Sequence, residues 1–256
     1  MTDRPAAADR AVTYPPVVVL LGGPSAEHDV SVVSGTAIAA ALLDAGLAAQ
    51  QLLIDLDGRW WWLPEDHRRG DKPASAYDDP TTLDADGPHA VGAALDRLAA
   101  ARPAPVVFIA LHGPFGEDGT VQALLEAAGL AYTGAGVAAS ALGMDKIAQK
   151  RIWRGLGLPV IDWIEVRGAS WTANRALVLT QLAAFATGDQ RLMVKPARLG
   201  SSVGMTLAHT AEEREAALDL AFRYDDLAIV ERYLARARDL EVSVIGTEAP
   251  LGVYGP

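Results

Sequence analysis

The sequence predicts an α/β protein: a parallel-sheet domain over residues 1–140, then a smaller α+β module. Two observations carry this. In the first half, apolar β-branched runs alternate with segments of helical period, the pattern of βαβ units. Beyond residue 137 that alternation gives way to a lysine-bearing helix, two strands around a polar loop, a capped helix and further strands. No internal repeat interrupts the pattern, and alanine enrichment is its only compositional bias.

The elements follow in order. The run PVVVLL (16–21) ends in Gly22-Gly23-Pro24, as a buried strand entering a loop does. Val30, Val33, Ala37, Ala40 and Ala41 then recur at helical spacing, with Gly46 as the stop. Residues 51–56 are the next strand. Residues 57–87, rich in proline and acids around Trp60, Trp61 and Trp62, are expected to form an exposed, irregular excursion. A helix over 91–101, a strand over 106–111 and a helix over 120–128 closed by Gly129 complete the first domain. In the second, a helix over 138–156 carries Lys146 and Lys150, and strands flank the polar loop within residues 191–207. Thr210 and Glu213 make a capping box for a helix reaching about Phe222, and residues 227–231 and 240–246 are strands.

Half of the 256 residues are apolar and 21% are charged, a composition that supports a sizeable core. Lys and Arg number 22 against 32 Asp and Glu, a net charge of −10, which argues against nucleic acid or an anionic membrane held by a basic stripe. The absence of cysteine excludes disulfides, thiolate metal sites and a cysteine nucleophile. The first fourteen residues mix acids and arginines without an apolar core, and the longest apolar runs fall far short of the roughly 20 residues a spanning helix needs. A cytoplasmic protein is expected.

Four polar constellations sit on loops or element ends. After the first strand, Glu27 and His28 follow the glycine pair; an acid there suits a substrate ammonium, and a plain tight turn explains the glycines equally well. After the third strand, HGPFGEDG (112–119) offers backbone amides and His112 to a carboxylate, or is simply a surface turn. Lys195 precedes LGSSVG (199–204), whose amides and hydroxyls suit a phosphate; the alternative is a flexible hairpin with a solvated lysine. Neither G-x-x-x-x-G-K-[ST] nor G-x-G-x-x-G is present in its required context, so a nucleotide site would be of another class. Last, Glu231 closes an apolar strand and Asp239 follows. Such acids accept from an adenine amino group and ribose hydroxyls, or are solvated ends. Lys146 with Lys150 reads most simply as a solvated helix face, and Asp78-Asp79 and Asp225-Asp226 as solvated turns.

Taken in order, LLGGPSAEHDVS (20–31), ALHGPFGEDGTVQ (110–122), YTGAGVAASALGMDK (132–146), VKPARLGSSVGM (194–205) and Val230-Glu231 up to Gly246 resemble the D-alanine:D-alanine ligases of the ATP-grasp superfamily. The resemblance implies a substrate-binding α/β domain over 1–140, a central nucleotide-clamping ATP-grasp module over 141–232, and an incomplete third domain from 233 to 256. It implies a cytoplasmic ATP- and Mg2+-dependent enzyme of peptidoglycan synthesis. One D-alanine is phosphorylated on its carboxylate and the amine of a second attacks the acylphosphate. By the same resemblance Glu27 holds the first D-alanine's ammonium, His112 lies near its carboxylate, and Ser201 links Glu27 to a mobile loop; Glu27 and Ser201 are the catalytic candidates. Lys146, Lys195 and Ser202 grip the phosphates, Glu231 with the backbone of Tyr233 and Leu234 reads adenine, and Asp239 meets the ribose where the family usually has glutamate. Family members continue past Pro256 with a loop tyrosine, a phosphoryl-stabilising arginine and the Asp, Glu and Asn that ligate magnesium. No metal ligand is assigned in this chain.

Three readings stay open on the sequence: the D-alanine ligase, a ligase taking D-lactate or D-serine second, and an inactive fragment that only binds nucleotide, substrate or another protein. The family is commonly dimeric through its first domain, and a homodimer is the corresponding expectation.

Overall fold

A computed structural model describes residues 14–186, 191–246 and 249–255. The first sheet is built from β1 (Val17–Gly22), β2 (Ala49–Ile54), β3 (Trp60–Trp62), β4 (Asp86–His89), β5 (Val106–Ile109) and β6 (Ala131–Tyr132). Its order is β4-β3-β2-β1-β5-β6; β2, β1, β5 and β6 run parallel, and β3 and β4 add an antiparallel edge. Helices α1 (His28–Asp44), α2 (Val91–Ala100) and α3 (Thr120–Ala127) make the connections. Side chains alternate across the sheet, as the pleat requires. Leu20, Leu52, Ile54 and Val107 pack into one core layer, and Val19, Leu21 and Leu53 into the other. Parallel strands covered on both faces explain why these runs are uniformly apolar.

Residues 57–87 correct the sequence expectation. Trp60, Trp61 and Trp62 form a buried strand, two of them joining the first core layer and Trp61 the second. Tyr77 and Leu83, on two short 3-10 turns, close over that second layer. The acids, with Pro64 and Pro73, are the surface of a packed cover, and Pro80 is buried within it. Asp55 organises the turn before β3, accepting from the amides of Asp57 and Arg59, from Arg59 Nε and from Trp61 Nε1.

The segment expected as one helix is two, α4 (Val137–Met144) and α5 (Lys146–Gly155), broken at Asp145. The Asp145 carboxylate caps α5 by accepting from the amides of Ile147 and Ala148, both at 2.9 Å. Next come β7 (Trp163–Arg167), α6 (Gly168–Ala173) and α7 (Arg175–Phe185), which the sequence reading left unassigned. With β8 (Leu192–Pro196), β9 (Thr206–Ala208), α8 (Ala211–Ala221) and β10 (Leu227–Arg232) they form an antiparallel sheet of order β7-β10-β8-β9, its core lying under α7 and α8. The capping box of Thr210 and Glu213 opens α8 as expected. Strands β11 (Ser243–Gly246) and β12 (Pro250–Tyr254) pair in a separate ribbon. No helix among the described residues is long and apolar enough to cross a membrane.

Candidate active site

The first part of the site is built at the carboxyl ends of β1 and β5, where ligands settle in open parallel sheets. The chain leaves β1 through Gly22, at φ +83°, where a Cβ would stand 2.3 Å from the carbonyl oxygen of Ile54, so only glycine fits. Ser25 Oγ donates to the His112 carbonyl at 2.8 Å and accepts from the Glu27 amide, which ties the two loops together. Glu27, at the N-cap of α1, is 2% exposed. One carboxylate oxygen accepts from Ser201 Oγ; the other is buried with no partner among the described residues. Gly113 and Gly200 press against the same carboxylate, and a Cβ on either would stand 2.3 or 3.1 Å from one of its oxygens. A buried, half-satisfied carboxylate is a costly group that a donor-bearing ligand relieves.

His112 is half-buried, with Nε2 2.9 Å from Ser34 Oγ. The amides of Gly113 and Phe115 already serve Glu117 and Asp118 at 2.8 Å each, so this loop offers fewer donors to an anion than its glycine spacing suggests.

The second part comes from the antiparallel sheet. Between β8 and β9 the loop turns at Ser201 and Ser202, with φ +46° and +59°, and the Val203 amide donates to the Gly200 carbonyl at 3.1 Å. Two successive non-glycine residues in left-handed geometry are strained, and strain of this kind gathers at functional sites. Lys146 anchors the loop's start: its amide donates to Ala197 O and its ammonium to Leu199 O. Burial, helped by nearby Lys195, holds Lys146 below the ordinary lysine value against the opposing pull of Asp225, Glu231 and Glu27. The four groups on which the phosphate reading depends, Glu27, the serine loop, Lys146 and Lys195, thus lie together.

Lys150 does not lie on the solvated face expected from the sequence. It is buried, and its Nζ meets Glu231 Oε1 at 2.6 Å and the Ile161 carbonyl at 2.9 Å. Lys195 Nζ meets the other oxygen, Oε2, also at 2.6 Å. Burial alone would push Glu231 upward, but the hydrogen bonds from Lys150 and Lys195 outweigh it and hold the carboxyl below its usual range. Nor is Asp225 solvated. It accepts from the Arg198 amide, the Arg198 guanidinium and the Leu227 amide, and so clamps the loop's start to β10. The sequence reading missed Lys150 and Asp225 as members of the site.

The remaining candidates are more open. Ser202, Leu234 and Asp239 are exposed, while the Tyr233 amide donates to Arg191 O at 3.0 Å and its ring lies under the Arg191 guanidinium. A cavity of about 550 Å3 is lined by Lys146, Gly200, Leu199, Glu117 and Ser140, between the two sheets. A larger one, about 710 Å3, lies at the amino ends of β1, β2 and β5 and contains none of these residues. Among the described residues no three His, Asp or Glu side chains are grouped to hold a metal ion.

A doubly covered parallel sheet joined to an antiparallel sheet, with lysines and a strained serine loop facing the first sheet's carboxyl edge, defines an ATP-grasp architecture. The family described as D-ala D-ala ligase N-terminus matches residues 16–135, and that described as D-ala D-ala ligase C-terminus matches residues 152–254. The D-alanine–D-alanine ligase of Enterococcus hirae is 38% identical over 235 residues, covering 91% of this chain and 64% of the relative. That of Enterococcus gallinarum is 37% identical over 232 residues, covering 91% and 70%. The solved D-alanine-D-alanine ligase of Coxiella burnetii superposes with a TM-score of 0.68 at 30% identity, over 93% of this chain and 68% of that one. The chain belongs to the D-alanine–D-alanine ligase family, and it spans about two thirds of the length of the curated relatives it matches.

Proposed function

We propose that this chain carries the substrate and nucleotide sites of an ATP-dependent ligase that joins two D-alanine molecules. The observation that supports this most directly is the Glu27 carboxylate, which is joined through Ser201 to the lysine-flanked loop and keeps one buried oxygen unpartnered. In this reading Glu27 takes the ammonium of the first D-alanine, and His112 faces its carboxylate. Lys146, Lys195 and Ser202 neutralise and orient the phosphates, as phosphoryl transfer demands positioning and charge compensation above all. Glu231, Tyr233 and Leu234 border the adenine and Asp239 the ribose. ATP, when bound, supplies the phosphoryl group that makes the first carboxylate an acylphosphate, open to attack by a second D-alanine's amine. Magnesium is expected from the family; no three-ligand cluster for it occurs among the described residues, and no step is assigned to it.

The domain limits proposed are 1–140, 141–232 and 233–256, with a homodimer through the first domain and a cytoplasmic location. Isothermal titration of the 256-residue protein with ATP and, separately, with D-alanine tests the reading. Micromolar to millimolar binding of both is expected, and absence of heat with either refutes the corresponding half of the site.

A further inference from the structure

Glu231 sits between two lysines that are not equivalent. Lys150, on α5 one turn beyond Lys146, is tethered at three points: Glu231 Oε1, the Ile161 carbonyl, and the face of Trp163, whose ring centroid is 5.4 Å from Nζ. Lys195 has Glu231 Oε2 as its only polar partner among the described residues, and its side chain is about twice as exposed as that of Lys150, 21% against 11%. One lysine is fixed and the other is free to leave. Two ammonium groups on one carboxylate also give this buried cluster a surplus positive charge, suited to an anion at its open side.

We propose that Lys150 is a positioning residue that stays paired with Glu231 so that Lys195 can exchange that carboxylate for a phosphate oxygen, a role that rests on the nucleotide reading above. Without Lys150, Lys195 would be the only lysine directly paired with a buried carboxylate. Moving it to a phosphate would then strip Glu231 of its charge partner in a site that water scarcely reaches, and the ligand would bear that cost. Lys150 itself need never touch the ligand. The Trp163 face and the Ile161 carbonyl hold its ammonium in place while Lys195 moves.

The test uses ADP and inorganic tripolyphosphate as probes, the second carrying no adenine, with melting of the unliganded protein as a control for folding. Lys150→Met should weaken both probes at least about tenfold, the effect of losing a counterion at a buried pair. Lys150→Arg, which keeps the charge, should restore binding. In Lys150→Met/Glu231→Gln there is no carboxylate for Lys195 to abandon, so tripolyphosphate affinity should recover even where ADP affinity does not. Unchanged binding by a folded Lys150→Met protein overturns the proposal, as does a double variant as weak as the single one. If Lys150→Met does not fold, Glu231→Gln alone decides: tighter tripolyphosphate binding supports the exchange and weaker binding overturns it. A wild-type protein that binds neither probe removes the nucleotide reading itself, an outcome distinct from all of these.

Discussion

Replacing Gly113 by alanine probes the contact that shapes the substrate end of the site. Gly113 lies at φ +74°, so any L-residue there incurs a left-handed penalty of about 1–2 kcal/mol. The new Cβ would also stand 2.3 Å from Glu27 Oε2, when real Cβ contacts essentially never fall below 3.0 Å; the carboxylate must retreat by 0.7 Å or more. Gly46 is the matched control, at φ +76° with no atom within 4 Å of where a Cβ would stand. For a protein of this size 1 kcal/mol shifts Tm by about 2–4 °C, so Gly46→Ala should lower Tm by about 2–8 °C and leave ligand binding intact. Gly113→Ala should lower it further and abolish D-alanine binding, because the acid proposed to receive the ammonium has moved. Differential scanning fluorimetry of both variants, with and without D-alanine, gives the comparison. Equal Tm shifts with D-alanine binding retained in Gly113→Ala would refute the reasoning, since the Glu27 contact would then have no energetic weight.

Three further outcomes follow from the same geometry. Ser201→Ala leaves both Glu27 oxygens without a donor in a buried site, a loss of about 1–3 kcal/mol of folding stability that melting of the unliganded protein should show. Glu231, held below its ordinary value of 4.5, contributes stability that is fully present above pH 4.5 and disappears as pH falls through its depressed value; melting curves of wild type and Glu231→Gln should therefore converge on acidification. Asp145→Ala removes the acceptor for two amides at the start of α5, costing about 1 kcal/mol and about 2–4 °C in Tm. Asp145→Asn, which keeps an N-cap oxygen, should retain most of that stability, and ADP affinity should follow the helix that carries Lys146 and Lys150.

The β1-α1-β2 unit and the capping box of α8 were legible because each is written in contiguous residues: an apolar run, a glycine turn, a helical period, a threonine three residues before a glutamate. Glu27 and Ser201 meet as the ordered motifs suggested. What stayed hidden depends on partners remote in sequence. The strand of Trp60, Trp61 and Trp62 is masked by the acids and prolines that follow it in sequence, most of which are exposed. Lys150 stands among Lys146, Arg151 and Arg154, a series that reads as solvated until Glu231, from another strand, closes on it. The break at Asp145 carries no proline or glycine of its own; only the capping geometry reveals it, because an aspartate within an apolar period also fits an uninterrupted helix. Asp225 is hidden for the same reason as Lys150, since the backbone and side chain of Arg198 that donate to it lie 27 residues earlier, at the start of the serine loop.

The hydrogen bond from Ser201 to Glu27 joins residues 174 positions apart, each on a loop at the edge of a different sheet. A ligand of the serine loop that alters this bond therefore changes the free energy of the acid beside the first sheet, and thermodynamic reciprocity makes the influence equal in the other direction. Two ligands that each act on this one bond would share a coupling, and the first to arrive would set the terms on which the second binds.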